Sequence, residues 1–160
     1  MNSENFNIDL DKQVRILKSD IPKEFVCLLR CSNPLSVYIC SPWISEFSDP
    51  RMDFVQILSQ KKTSLTIYTR PPQNNETEKL LQRLRKEAKA QIFVAKNLHA
   101  KVYVIEGRTE KYVILGSANF TNEARGNLEL SILIRNNDIF TKRVIYSLLS
   151  YLRPMCIRWR

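Results

Sequence analysis

Histidine is nearly missing from this sequence: 160 residues contain one, His99. A metal centre built on imidazoles is thereby excluded, because one histidine and scattered acids make a poor ligand set. Glycine is scarce as well, at three residues. No low-complexity tract and no repeat at solenoid periods is present. No apolar run approaches the length needed to cross a bilayer. The opening "MNSENFNIDLDKQ" is polar and acidic. With neither a basic n-region nor an apolar h-region, it does not read as a signal peptide. The cysteines number four: Cys27, Cys31, Cys40 and Cys156. They lack companion ligands, so they read as reduced, partly buried thiols of a cytoplasmic protein.

What the chain does have is ordinary globular composition and an unusual charge. Hydrophobic residues make up 44% and charged residues 26%, enough for one domain with a real core over residues 1–160. Lys plus Arg is 25 against 16 Asp plus Glu, a net charge of +9. Such a field favours a polyanion, nucleic acid first and anionic lipid second.

Periodicity predicts alternating elements. A short helix follows Pro22, through Phe25, Val26, Leu28 and Leu29. "SVYICSPWIS" reads as a buried strand closed by Ser-Pro. "SDPRMDFVQILSQ" carries a helix start, with Ser48 or Asp49 as cap and Pro50 in the first turn. "SLTIYTR" is a second strand. "NNETEKLLQRLRKEAKA" is a helix with Leu80, Leu81 and Leu84 on one side, acids leading and bases trailing. "QIFVA", "HAKVYVIE", "KYVILGSANF" and "NLELSILIR" are further strands, the middle two joined by the hairpin turn "GRTE". "DIFTKRVIYSLLSYLR" is an amphipathic helix ending before Pro154. The sum is an α/β fold, a mixed sheet flanked by helices, several of whose strands are apolar on both faces.

Polar groups stand out against those apolar strands. With a period of two, His99 and Lys101 point the same way, as do Ser117 and Asn119, and Glu129 and Ser131. If the three segments are neighbours in register, His99, Lys101, Ser117, Asn119 and Glu129 converge. That set matches phosphodiester chemistry better than a metal site, since one His and one Glu make a poor ligand count. Imidazole serves as nucleophile or general acid. The ammonium, hydroxyl and amide stabilise charge on phosphoryl oxygens. A carboxylate fixes the imidazole tautomer. Around them, Arg70 at a strand end, Trp43 as a stacking ring and Arg125 in "TNEARGN" are candidate substrate contacts. Each also has a plainer reading: a surface arginine, a core or dimer aromatic, a loop cation. The basic run "RLRKEAKA" reads as a solvated helix face.

"HAKVYVIE" followed by "GSANFT" and "NLE" resembles the phospholipase D superfamily, whose motif is His-x-Lys-x4-Asp followed by Gly-Ser-x-Asn. His99 and Lys101 match its first part, and Gly116, Ser117 and Asn119 its second. Glu129 falls where the family often has an acid that supports the histidine. The motif region spans 97–131, and the likeness extends from about Ser36 to Arg135. Two departures are visible: Glu106 stands at the Asp position, and the spacer to Gly116 is somewhat long. The resemblance implies a phospholipase D-like fold, no metal or other cofactor, and a covalent phosphohistidine. It also implies a second histidine that protonates the leaving oxygen. With one histidine per chain, the second must come from another copy, which implies a homodimer sharing one site. The expected activity is that of a metal-independent endonuclease on DNA or RNA. A lipid phosphodiesterase or a non-catalytic nucleic-acid-binding module are the other outcomes. Gly116 would lie against substrate.

Overall fold

The computed structural model describes residues 14–135 and 139–159. Eight strands form one mixed sheet in the order β1-β7-β6-β5-β2-β3-β4-β8. They are β1 (Val14–Lys18), β2 (Pro34–Cys40), β3 (Ser64–Thr69), β4 (Gln91–Val94), β5 (Val102–Gly107), β6 (Lys111–Gly116), β7 (Leu130–Arg135) and β8 (Ile157–Arg158). The helices are α1 (Ile21–Cys31), α2 (Phe54–Gln60), α3 (Asn75–Glu87) and α4 (Ile139–Leu152). Strands β2, β3 and β4 run parallel, and the other pairings are antiparallel. One sheet edge therefore collects the ends of β1, β2, β3, β4 and β6 and the beginnings of β5 and β7.

The core lies on both faces of the sheet. On one face Ile21, Phe25 and Leu29 of α1, Phe54, Val55 and Leu58 of α2, and Leu80, Leu81 and Leu84 of α3 bury Val37, Ile39, Leu65, Ile67, Tyr103 and Ile105. On the other, Ile145 and Leu152 of α4 cover Cys40, Tyr68, Val102, Val104 and Val113. Double coverage explains why β5 and β6 are apolar throughout, and each such side chain contributes about 1.5–3 kcal/mol by burial. Coverage stops short at β1 and β7, where Val14, Ile16, Leu130 and Ile132 stay exposed. These four share a sheet face, since Val14 pairs with Ile134, Ile16 with Ile132 and Lys18 with Leu130.

Most predicted elements are present, with instructive differences. α3 has the expected cap, Asn74 accepting from Thr77 N at 2.8 Å, and the expected charge gradient. The predicted helix from Ser48 divides in two. Asp49 caps a short 3-10 turn (Pro50–Met52), and Asp53 then caps α2, accepting from Gln56 N at 3.0 Å. The hairpin turn is closed by Gly107 N donating to Glu110 O at 2.8 Å. Of the cysteines, Cys40 is buried and Cys156 half-buried, but Cys27 and Cys31 are exposed on α1; all four are free. Asp138, predicted to open the last helix, lies outside the described residues.

Candidate active site

His99 and Lys101 precede β5 instead of lying in it. The reason is the neighbour: β2 pairs with β5 up to Cys40–Val102, and then turns away through Ser41 and the N–H-less Pro42. The freed segment is held otherwise. Cys40 Sγ faces Ala100 O at 3.7 Å, Gly116 N donates to Lys101 O at 3.4 Å, and Arg70 Nε donates to Leu98 O at 2.8 Å. Leu98 is buried as an anchor while His99 is exposed. Lys101 Nζ lies 3.3 Å from His99 Nδ1 and donates to His99 O at 3.0 Å. The two groups meet as expected, by a turn of chain instead of strand alternation.

The Gly-Ser-x-Asn segment arrives on β6. Ser117 N donates to Leu130 O at 3.1 Å, and Leu130 N donates to Ser117 Oγ at 3.1 Å. Ser117 Oγ in turn hydrogen-bonds the Glu129 carboxylate. Asn119 is half-buried, and its Oδ1 is shut from solvent with no partner among the described residues. An orphaned buried acceptor is costly, so a donor from outside the chain would be welcome there. Gly116 is required by packing. A Cβ on it would stand 1.9 Å from Ser131 Oγ and 2.5 Å from Leu130 O.

Three residues unflagged in the sequence hold this edge together. Phe120 is wholly buried and packs edge-on against Phe25, Phe47 and Phe54, with Tyr103 tilted beside it. Buried Ser41 accepts from Phe120 N at 2.9 Å and donates to Trp43 O at 2.7 Å. Tyr103 OH donates to Ala118 O at 2.5 Å. Ile44 and Phe120 form a parallel bridge. The loop carrying Ser117 and Asn119 is thus fastened to the loop after β2. The "SPW" turn and the Phe of "GSANF" were the available signals, but neither says which partner it meets.

The charges organise around Lys101. Burial pushes its ammonium below the ordinary lysine value; nearby Arg70 lowers it further, and Glu129 pulls it back up. Arg70, just after β3, and Glu129, just before β7, therefore act on the same ammonium. Burial also pushes the Cys40 thiol up to about 12, keeping it uncharged beneath Lys101. Arg70 lies over Trp43, its Cζ 5.0 Å from the ring centroid, at cation–π range. Arg125 is engaged elsewhere: its Nε and Nη2 donate to Asp20 at 3.0–3.3 Å. Among the described residues no three His, Cys, Asp or Glu converge as metal ligands.

Glu106 belongs to the opposite end of the sheet. It pairs with buried Lys111 at 3.4 Å, across the hairpin. Five residues of strand from Lys101 place it roughly 16 Å from the cluster.

The family described as "Cardiolipin synthase, PLD-like domain" matches residues 37–145. Among curated proteins none matches the sequence. Among solved structures, Nuc from Salmonella typhimurium, a phospholipase D family member, superposes with a TM-score of 0.68 at 14% identity, over 92% of this chain and 97% of Nuc. NucT from Helicobacter pylori gives 0.65 at 18% identity, over 92% of this chain and 99% of NucT. The archaeal chromatin protein TrmBL2, with its novel mode of DNA binding, gives 0.64 at 10% identity, over 92% of this chain and 54% of TrmBL2. The sheet with its flanking helices is the phospholipase D-like fold, and the chain belongs to the phospholipase D-like domain family, at the length and architecture of Nuc and NucT.

Proposed function

We propose that this chain is a phosphodiesterase of nucleic acid that works by a phosphohistidine, as a homodimer with one shared site. The observation that carries this reading is the Lys101–His99 contact, at the same sheet edge as the Ser117–Glu129 bond. His99 attacks phosphorus, and the bond to the leaving oxygen breaks. That oxygen takes a proton from the imidazole of the second copy. The same imidazole then removes a proton from water, the water oxygen bonds phosphorus, and His99 is released. Lys101, Ser117 and Asn119 stabilise the charge on the phosphoryl oxygens. Arg70 and Trp43 contact the substrate beside the scissile bond.

The two histidines need different protonation states. The ring that protonates the leaving oxygen starts as the imidazolium and becomes the neutral ring that then takes a proton from water. The attacking ring needs its proton on Nδ1, held by a carboxylate, and Glu129 is the carboxylate at this edge. A homodimer with one ring in each state completes the reaction. The exposed apolar face of Val14, Ile16, Leu130 and Ile132, beside Glu129, supports a second copy there. The net charge of +9 supports nucleic acid as substrate.

The test is a digest in excess EDTA comparing DNA, RNA and a cardiolipin-type phospholipid, with His99→Ala as control. Nucleic acid should be cut and the control should be inert. Mixed dimers of His99→Ala and wild type should lack full turnover. Loss restored only by added metal, or undiminished mixed dimers, would overturn the mechanism. Cleavage of lipid alone would select the lipid reading, and binding without cleavage the non-catalytic one.

A further inference from the structure

We infer that Asp20 and Arg125 form a latch that positions Glu129, and through it Ser117, for the chemistry; this rests on the function proposed above. Asp20 stands at the N-cap of α1, where an aspartate ordinarily accepts a hydrogen bond from the first turn. Here its side chain makes no cap bond. Both carboxylate oxygens instead take the Arg125 guanidinium, 105 residues further along the chain. Neighbouring Ser19 and Asp20 both adopt left-handed backbone, φ 56° and 43°. For non-glycine residues that conformation costs about 1–2 kcal/mol each, so it needs compensation from the surroundings. The compensation is visible. Ser19 N donates to Glu129 O at 3.1 Å, and Asp20 O receives Lys23 N at 3.1 Å and Glu24 N at 3.2 Å.

Arg125 sits in the 3-10 turn Glu123–Arg125, inside the loop that joins Ser117 to Glu129. The loop is held by Phe120 in the core, by Ala118 on Tyr103, by Asn122 on Ser45 and Ser48, by Arg125 on Asp20, and by the Glu129 backbone on Ser19. What remains free to act is the Glu129 carboxylate, bonded to Ser117 and felt by Lys101. Asp20 and Arg125 are positioning residues, since among the described residues their hydrogen bonds are with each other and with backbone, not with His99 or Lys101.

The rival role for Arg125 is a phosphate contact, and the two roles predict opposite results. Asp20→Asn weakens the latch but frees Arg125. Asp20→Gly removes the carboxylate while easing the left-handed backbone, so it separates latch from strain. With a latch, Asp20→Asn, Asp20→Gly and Arg125→Gln each lower kcat about tenfold or more with KM nearly unchanged, because a group acting at the transition state has shifted. The double variant Asp20→Gly with Arg125→Gln is no worse than either single one. Amide exchange at Ser19 speeds up in all of them, a readout that needs no catalysis. A wild type that cuts no diester would end the proposed function, while Ser19 exchange would still report the latch. Unchanged kcat and unchanged Ser19 exchange in Asp20→Gly would overturn the latch. So would a lower KM in Asp20→Asn, the sign of a freed phosphate ligand.

Discussion

Replacing Gly116 by alanine adds one methyl group at the worst place on the sheet. The new Cβ would meet Ser131 Oγ at 1.9 Å, Ser131 Cβ at 2.5 Å and Leu130 O at 2.5 Å, against an ordinary contact of 3.4 Å or more. The hydroxyl can rotate away, but the carbonyl is backbone. To restore contact distance, β6 and β7 must part by about 1 Å. The displaced carbonyl, Leu130 O, is the one that accepts from Ser117 N. Leu130 N also holds Ser117 Oγ, so Ser117 moves with it and leaves Glu129. A misplacement of about 1 Å costs on the order of 100-fold in rate, and overpacking costs about 1–3 kcal/mol of stability. For a chain this long that is about 2–4 °C in melting temperature per kcal/mol. The assay is kcat on a chromogenic diester beside a thermal melt. Adding Ser131→Gly to Gly116→Ala removes both side-chain clashes and leaves only Leu130 O. It should recover part of the stability and less of the rate. A Gly116→Ala protein with wild-type rate and melting temperature would refute the packing argument.

Two other outcomes test the charges. If the Lys101 ammonium must be protonated for turnover, the alkaline limb of the pH–rate profile falls below the ordinary lysine value, since burial and Arg70 depress it. Arg70→Gln should move that limb up and Glu129→Gln should move it down; shifts of the opposite sign would remove Lys101 from the limb. Arg83 donates to Asp53 at 2.7 Å and to Glu46 at 3.1 Å, joining α3 to α2 and to the loop after β2. Burial pushes the Asp53 carboxyl up, but the bonds from Arg83 and Gln56 N outweigh it and hold it below the usual range. Stability from this pair is therefore present above the unfolded-state value and lost as pH falls through the lower folded one. Urea titration of Arg83→Ala should show a loss of about 1–3 kcal/mol at neutral pH that shrinks in acid. A deficit independent of pH would point to packing alone.

The fold was legible where burial imposes a period. The leucines of α3, the doubly buried β5 and β6 and the hairpin between them all follow from pattern. β1 was not legible, because Val14 and Ile16 face outward and it pairs with β7, distant in sequence. β8 is two residues long and joins the sheet through β4. The expectation for His99 and Lys101 assumed a strand, yet they meet in a loop. The pairing limit at Pro42 depends on β2 being the neighbour of β5, a tertiary fact. Arg125 illustrates the same limit. Its partner Asp20 lies 105 residues away, and no local signal joins a capping-type aspartate to a loop arginine.

Glu106 shows how position in the fold decides what a motif residue does. In sequence it is the last member of "HAKVYVIE", five places after Lys101. A strand carries those five places from one sheet edge to the other, so the residue cannot share the site that His99 occupies. What it meets is Lys111, whose ammonium is buried and bonded to Gly107 O at 3.2 Å as well as paired with Glu106. A buried lysine needs such a partner, since unpaired burial of a charge costs several kcal/mol. Glutamate in place of aspartate adds one methylene, at a position set by the reach to Lys111 rather than by contact with a phosphate. The exchange therefore bears on the hairpin that Glu106 and Lys111 close, at the far end of the sheet from His99.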